Sequence, residues 1–160
     1  MKKALIILLV GITVLLPSCG KKVKKESVTP LKPNCTVGTS FNGTDYSAKV
    51  HYSDTGVLSI EMIKPLKGLT LCMDDRGCRL GYNGTELDCT ATRSKNLCPF
   101  IALYSVLKTV CYTVPESARA DGESYILKYR TPELECTAKS SIRDGTLSEI
   151  DVRGLKFIFK

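Results

Sequence analysis

The sequence predicts a mainly β (α+β) domain, an antiparallel sheet with one wet face and a single helix laid on the other. Three observations lead there: apolar residues that recur with a period of two, turn chemistry between those runs, and one stretch whose apolar residues switch to helical spacing. The first run is TDYSAKVHYS (44–53), where Tyr46, Ala48, Val50 and Tyr52 alternate with Ser47, Lys49 and His51. In VLSIEMI (57–63), Leu58, Ile60 and Met62 alternate with Ser59 and Glu61. Leu69, Leu71 and Met73 continue the pattern, followed by Cys78, Leu80 and Tyr82. Later come Tyr125, Leu127 and Tyr129 opposite Lys128 and Arg130, then Leu155, Phe157 and Phe159 opposite Lys156 and Lys160. Alternation of this kind places one set of side chains in a core and the other in water.

Between the runs lie Asp54-Thr55-Gly56, Asp74 to Gly77, Asn83-Gly84, Asp121-Gly122 and Asp144-Gly145. Glycine accepts positive φ and Asp or Asn bonds nearby backbone, so each can reverse the chain. The early spacing, near ten residues, predicts an up-and-down meander. One segment departs from it. In NLCPFIALYSVLKTVC (96–111), Phe100, Leu103, Tyr104, Leu107 and Cys111 form one stripe of an amphipathic helix, with Pro99 in its first turn. That stripe needs an apolar partner, and the concave face of the sheet is the one available. Phe100, Leu103, Tyr104 and Leu107 are therefore candidates for a lid helix, and a purely structural core helix fits the same residues.

Ahead of the domain stands a different kind of segment. Lys2 and Lys3 precede an apolar run from Ala4 to Leu16, too short to span a bilayer as a helix and typical of an export signal. The stretch Leu16-Pro17-Ser18-Cys19-Gly20 resembles the lipobox of bacterial lipoproteins, with Pro17 departing from the small residue usual at that place. The resemblance implies removal of residues 1–18 and acylation of Cys19, leaving the protein lipid-anchored to the cell membrane and facing outside the cytoplasm. Each buried CH₂ contributes about 0.8 kcal/mol, so two or more acyl chains anchor firmly.

Residues 19–34 then read as the lipidated Cys and a Lys/Pro-rich spacer with little to bury. This spacer also accounts for the charge. Of the formal +7, Lys2 and Lys3 carry +2 and residues 20–34 a net +4. Residues 35–160, which read as one domain, hold 16 basic and 15 acidic residues, a net of +1. Nucleic acid is thus not an expected partner, whereas Lys21, Lys22, Lys24 and Lys25 suit anionic headgroups at about 1 kcal/mol each.

Element order adds a second resemblance. The spacer, the strands in FNGTDYSAKVHYS and GVLSIEMIKPLKGLTL, a hairpin through GCRLGYNGTELD, one helix and a meander ending in GTLSEIDVRGLKFIFK resemble clostridial-type surface lipoproteins related to the LolA/LolB lipoprotein-carrier fold. The resemblance implies a curved, half-open β-barrel whose helix covers an apolar cavity that holds acyl chains. An apolar lining with few fixed polar groups suits such a ligand. Tyr46, Val50, Tyr52, Leu58, Ile60, Met62, Leu69 and Leu71 are the candidates for it, although the same residues are what a filled core would show.

Enzyme chemistry finds no footing. The only histidine, His51, falls on the wet face of its strand, no phosphate-cradling glycine loop is present, and Asp74 and Asp75 sit in a turn that needs such residues for its backbone. No cofactor site is expected, and with one His and no C-x-x-C no zinc site either. Eight cysteines are present. With Cys19 acylated seven remain, an odd number; Cys72 and Cys78 flank a turn, and Cys98 and Cys111 lie too far apart along a helix to pair.

A rival reading takes Cys19 as unmodified and the chain as a secreted or surface module with a filled core, stabilised by disulfides, that binds protein. Asn34-Cys35-Thr36, Asn42-Gly43-Thr44 and Asn83-Gly84-Thr85 match the glycan acceptor pattern and suit it.

Overall fold

The computed structural model describes residues 34–89 and 98–160. Among the described residues there are eleven strands and one helix: β1 (Asn34–Phe41), β2 (Thr44–Tyr52), β3 (Leu58–Lys64), β4 (Thr70–Asp74), β5 (Gly77–Tyr82), β6 (Thr85–Cys89), α1 (Pro99–Tyr112), β7 (Ser117–Asp121), β8 (Ser124–Arg130), β9 (Glu135–Ser141), β10 (Leu147–Val152) and β11 (Leu155–Phe159). The strands make one antiparallel sheet in the order β6-β5-β4-β3-β2-β1-β11-β10-β9-β8-β7. The sheet is not closed, and β6 and β7 are its two edges. Asn34, read from sequence as the end of the spacer, is the first residue of β1 and the register partner of His51.

Two consecutive meanders, β1–β6 and β7–β11, meet at the centre. There β1 and β11 pair with Val37 opposite Phe159, extended by Thr36 N–H to Lys160 O at 3.0 Å and Lys160 N–H to Thr36 O at 2.8 Å. The second join is α1, which carries the chain from one edge of the sheet to the other.

Hairpin chemistry fixes the register. Asn42-Gly43 and Asn83-Gly84 both carry positive φ at two successive positions, the turn whose twist matches that of the flanking strands. With those turns set, one ladder of side chains runs through Val50, Ile60, Leu71, Leu80 and Leu87 on β2 to β6. A second runs through Tyr52, Leu58, Met73 and Cys78, and a third through Phe157, Ile150, Ala138 and Leu127. All belong to the inner face, and nearly all are buried with α1 in one apolar cluster.

The helix contributes Phe100, Ile101, Leu103, Val106, Leu107, Val110 and Cys111 to that cluster, and Pro99 in its first turn is buried as well. The ring of Phe100 meets that of Phe157 at 6.3 Å between centroids. Helix cover runs out toward β6, where Leu80 is half-buried and Leu87 is 60 % exposed. The outer face carries cross-strand ion pairs, Lys49 to Glu61 at 3.3 Å and Lys156 to Glu149 at 3.0 Å, which as solvent-exposed contacts add little stability.

Periodicity foresaw six of the eleven strands from their own residues. The remainder include β1, β7 and β9, whose inner positions hold small residues such as Ala118, Cys136, Ala138 and Ser140, so that alternation in size is weak. Because the helix–sheet contact is the centre of the core, Leu107→Ala is expected to cost about 2–5 kcal/mol in urea unfolding. Glu61→Ala on the outer face should stay within about 1 kcal/mol.

Candidate functional site

The eight residues read from sequence as a cavity lining share the inner face. Val50, Tyr52, Leu58, Ile60, Met62 and Leu71 are buried in the core cluster, and Tyr46 and Leu69 pack against it half-buried. Phe100, Leu103 and Leu107 of the expected lid are fully buried in the same cluster, while Tyr104 reaches its edge. The inner face is therefore occupied by the helix's own side chains. Tyr52 brings its hydroxyl into this core beside Tyr112, whose ring stands 6.1 Å from its own. Burial first, and the neighbouring Tyr112 next, push the Tyr52 phenol well above its usual range. Cys19, and with it the Lys-rich segment 21–25, lies outside the described residues.

Open apolar space is found instead along the other side of α1. A groove of about 840 Å³ runs between the helix and two turns from the β7–β11 half, residues 131–134 and 152–155. Its apolar walls include Tyr104, Tyr112, Pro132, Leu134, Val152 and Leu155, and Lys108, Glu133 and Arg153 supply charge. The helix floor is small or hydroxylated at Ala102, Ser105 and Thr109, because these positions face away from the core stripe.

Local hydrogen bonds hold the walls in place. Thr131 N–H donates to Leu134 O at 2.8 Å, and Leu134 N–H returns to Thr131 Oγ1 at 3.1 Å. In the β10–β11 turn, Gly154 N–H donates to Asp151 Oδ1 at 3.0 Å, and Arg153 takes a left-handed φ of 53°. At the helix end, Thr113 N–H donates to Thr109 O at 3.0 Å.

The β4–β5 turn grips the helix beside this groove. Asp74 Oδ1 accepts the N–H groups of Arg76 at 2.8 Å and Gly77 at 3.0 Å, which is the backbone role expected of it. Asp75 does something else. Its Oδ1 accepts the Tyr104 hydroxyl at 2.9 Å and a hydrogen bond from Lys108 Nζ. The Lys108 contact, then that of Tyr104, lowers the Asp75 carboxyl below the usual range. Tyr104 moves the other way, to about 12, through partial burial first and the Asp75 contact second.

A second cleft, of about 570 Å³, is lined by Cys72, Asp74, Arg76, Gly77, Cys78, Arg79 and Asp88. Cys72 pairs with Arg79 and Cys78 with Met73, so the two cysteines expected as neighbours project to opposite faces of the sheet. Cys35, Cys72, Cys98 and Cys136 form no disulfide. Among the described residues no three His, Cys, Asp or Glu side chains are grouped as a metal site.

Sequence reasoning missed the groove because its walls come from turns 19 to 43 residues beyond the end of the helix. The Asp151 to Gly154 turn was the available signal for one of them. No family model matches the chain, and no curated protein matches it.

Asp75 has a folded-state pKa below its unfolded value, so its contribution to stability is present above the ordinary Asp range and is lost as pH falls through the lowered folded value. Carboxyl NMR titration should therefore place the Asp75 midpoint below that of a free Asp, and Lys108→Met should move it back up. An unchanged midpoint in the variant would show that Lys108 does not govern it.

Proposed function

We propose that the chain is an exported lipoprotein, acylated at Cys19 and held at the outer side of the cell membrane, whose β domain binds an apolar chain such as a lipid acyl group in the groove along α1. The observation that carries this reading is the groove itself. Its volume of about 840 Å³ lies within the range of about 300–1,000 Å³ usual for small-molecule sites, and hydrogen-bonded turns form it in advance. The lipobox-like Leu16 to Gly20 and the lysines that follow supply the anchor and its affinity for anionic lipid.

The half-open barrel belongs to this reading too. Eleven strands laid flat would span about 50 Å, and one helix about 10 Å across can cover only a fraction of that width. Inner-face residues are nonetheless buried on β1–β5 and on β8–β11, which supports a sheet curled round α1. Within such a barrel α1 acts as a wall. Lifting it as a lid would expose Phe100, Leu103 and Leu107, at roughly 1.5–3 kcal/mol for each large apolar side chain.

The packed inner face also favours a second reading, a surface module with a filled core that binds protein. Two experiments separate them. Cys19→Ser should leave the protein unprocessed or release it from the membrane fraction; maturation and retention as in the wild type would remove the anchor from this account. Native mass spectrometry of the wild type should show co-purified acyl ligand. Ser105→Trp, which fills the groove from an exposed helix position, should lower uptake of a fluorescent fatty acid at least tenfold without lowering the melting temperature. Clean apo protein that takes up no probe favours the filled-core module.

A further inference from the structure

The cysteines of β4–β6 fall into an arrangement that neither the anchor nor the groove uses. Cys78 on β5 and Cys89 on β6 are direct partners in the antiparallel register. They are the only two cysteines among the described residues so related, since Cys35 faces Val50, Cys72 faces Ser59 and Arg79, and Cys136 faces Tyr129. Direct partners on antiparallel strands have Cα atoms about 4.5–5.5 Å apart and project to the same face. A disulfide needs about 4.4–6.8 Å between Cα atoms, so the backbone already meets the requirement. Cys78 is 3 % exposed, on the face opposite Cys72 and Arg79, so the bond would form at the inner side of the β5–β6 hairpin.

β6 is also the strand that such a bond would serve. It is an edge strand paired only to β5, and its residues 85–88 are all exposed. Cys89 is its last residue.

We propose that Cys78 and Cys89 are a reversible dithiol–disulfide pair that clasps the edge strand β6 to β5. One thiolate attacks a low-molecular-weight disulfide, oxidised glutathione for example, forming a mixed disulfide and expelling one glutathione thiolate. The other cysteine then attacks that mixed disulfide and expels the second. The two cysteine thiols lose two electrons and two protons, the Sγ–Sγ bond forms, and the glutathione disulfide is reduced to two thiols. This chemistry does not depend on acylation of Cys19 or on the groove.

The test uses the full-length chain, purified reduced, equilibrated with glutathione at a series of redox ratios and then alkylated. Trypsin separates the thiols cleanly: Cys72 lies in 68–76, Cys78 in 77–79, Cys89 in 80–93 and Cys98 in 96–108. The expected result is peptide 77–79 linked to 80–93 as the dominant form in the most oxidising buffer, reverting to thiols in the most reducing. Cys72→Ser should leave the link intact and Cys89→Ser should abolish it. Separate alkylation of Cys78 and Cys89 at every ratio, or dominant linkage of Cys78 to any other peptide, overturns the proposal.

Discussion

Everything in this domain is arranged around one contact, the apolar side of α1 against the inner face of the sheet. An open antiparallel sheet has two faces, and here one of them carries Val50, Ile60, Leu71, Phe157, Ile150 and Leu127 in unbroken cross-strand ladders. Left in water, those side chains would forfeit about 25 cal/mol for each Å² of apolar surface. The helix removes that exposure from both halves of the sheet at once. In chain order it stands between the two edge strands, β6 and β7, and its buried side chains join one cluster with residues from both halves. The central β1–β11 pairing then fixes how the two halves stand beside each other.

Filling the inner face has a consequence for where binding can occur. Side chains that would line a cavity are committed to the helix, so the space left for a ligand lies on the helix's opposite side. There the helix presents Ala102, Ser105 and Thr109, residues too small to close the gap to the turns at 131–134 and 152–155. Asp75 sets the other border by holding Tyr104 and Lys108 toward the β4–β5 turn. As an exposed pair, Asp75 and Lys108 add little stability, but they fix which way two long side chains point.

Burial also orders the chemistry of the interior. Tyr129 is pushed up to about 12 and Cys136 to about 11, in both cases mainly because a charged form is disfavoured away from water. Tyr129 and Cys136 thus stay neutral within the apolar packing centre. The buried hydroxyls of Thr39 and Ser140, which have no hydrogen-bond partner, are the local departures from that rule.

The sequence by itself determined the class of the fold and the face on which its large residues sit. Alternation in 44–53 and 57–63 and the Asn-Gly and Asp-Gly turns are local physics: a side-chain period of two and a backbone that tolerates positive φ. It also determined the helix, although Val106 and Val110 belong to the buried stripe beside Phe100, Leu103, Leu107 and Cys111. Strands built from small inner residues, β7 and β9 above all, were not legible, because alanine, serine and cysteine carry little hydrophobic contrast. Only the tertiary structure decided that the inner face is filled, since a lining and a core have the same pattern until something is seen packed against it. It alone decided that Cys78 stands in register with Cys89 and on the opposite face from Cys72, because one residue of register moves a side chain to the other face. The groove, too, is a product of distance folded away, with walls from three parts of the chain that share no local signal.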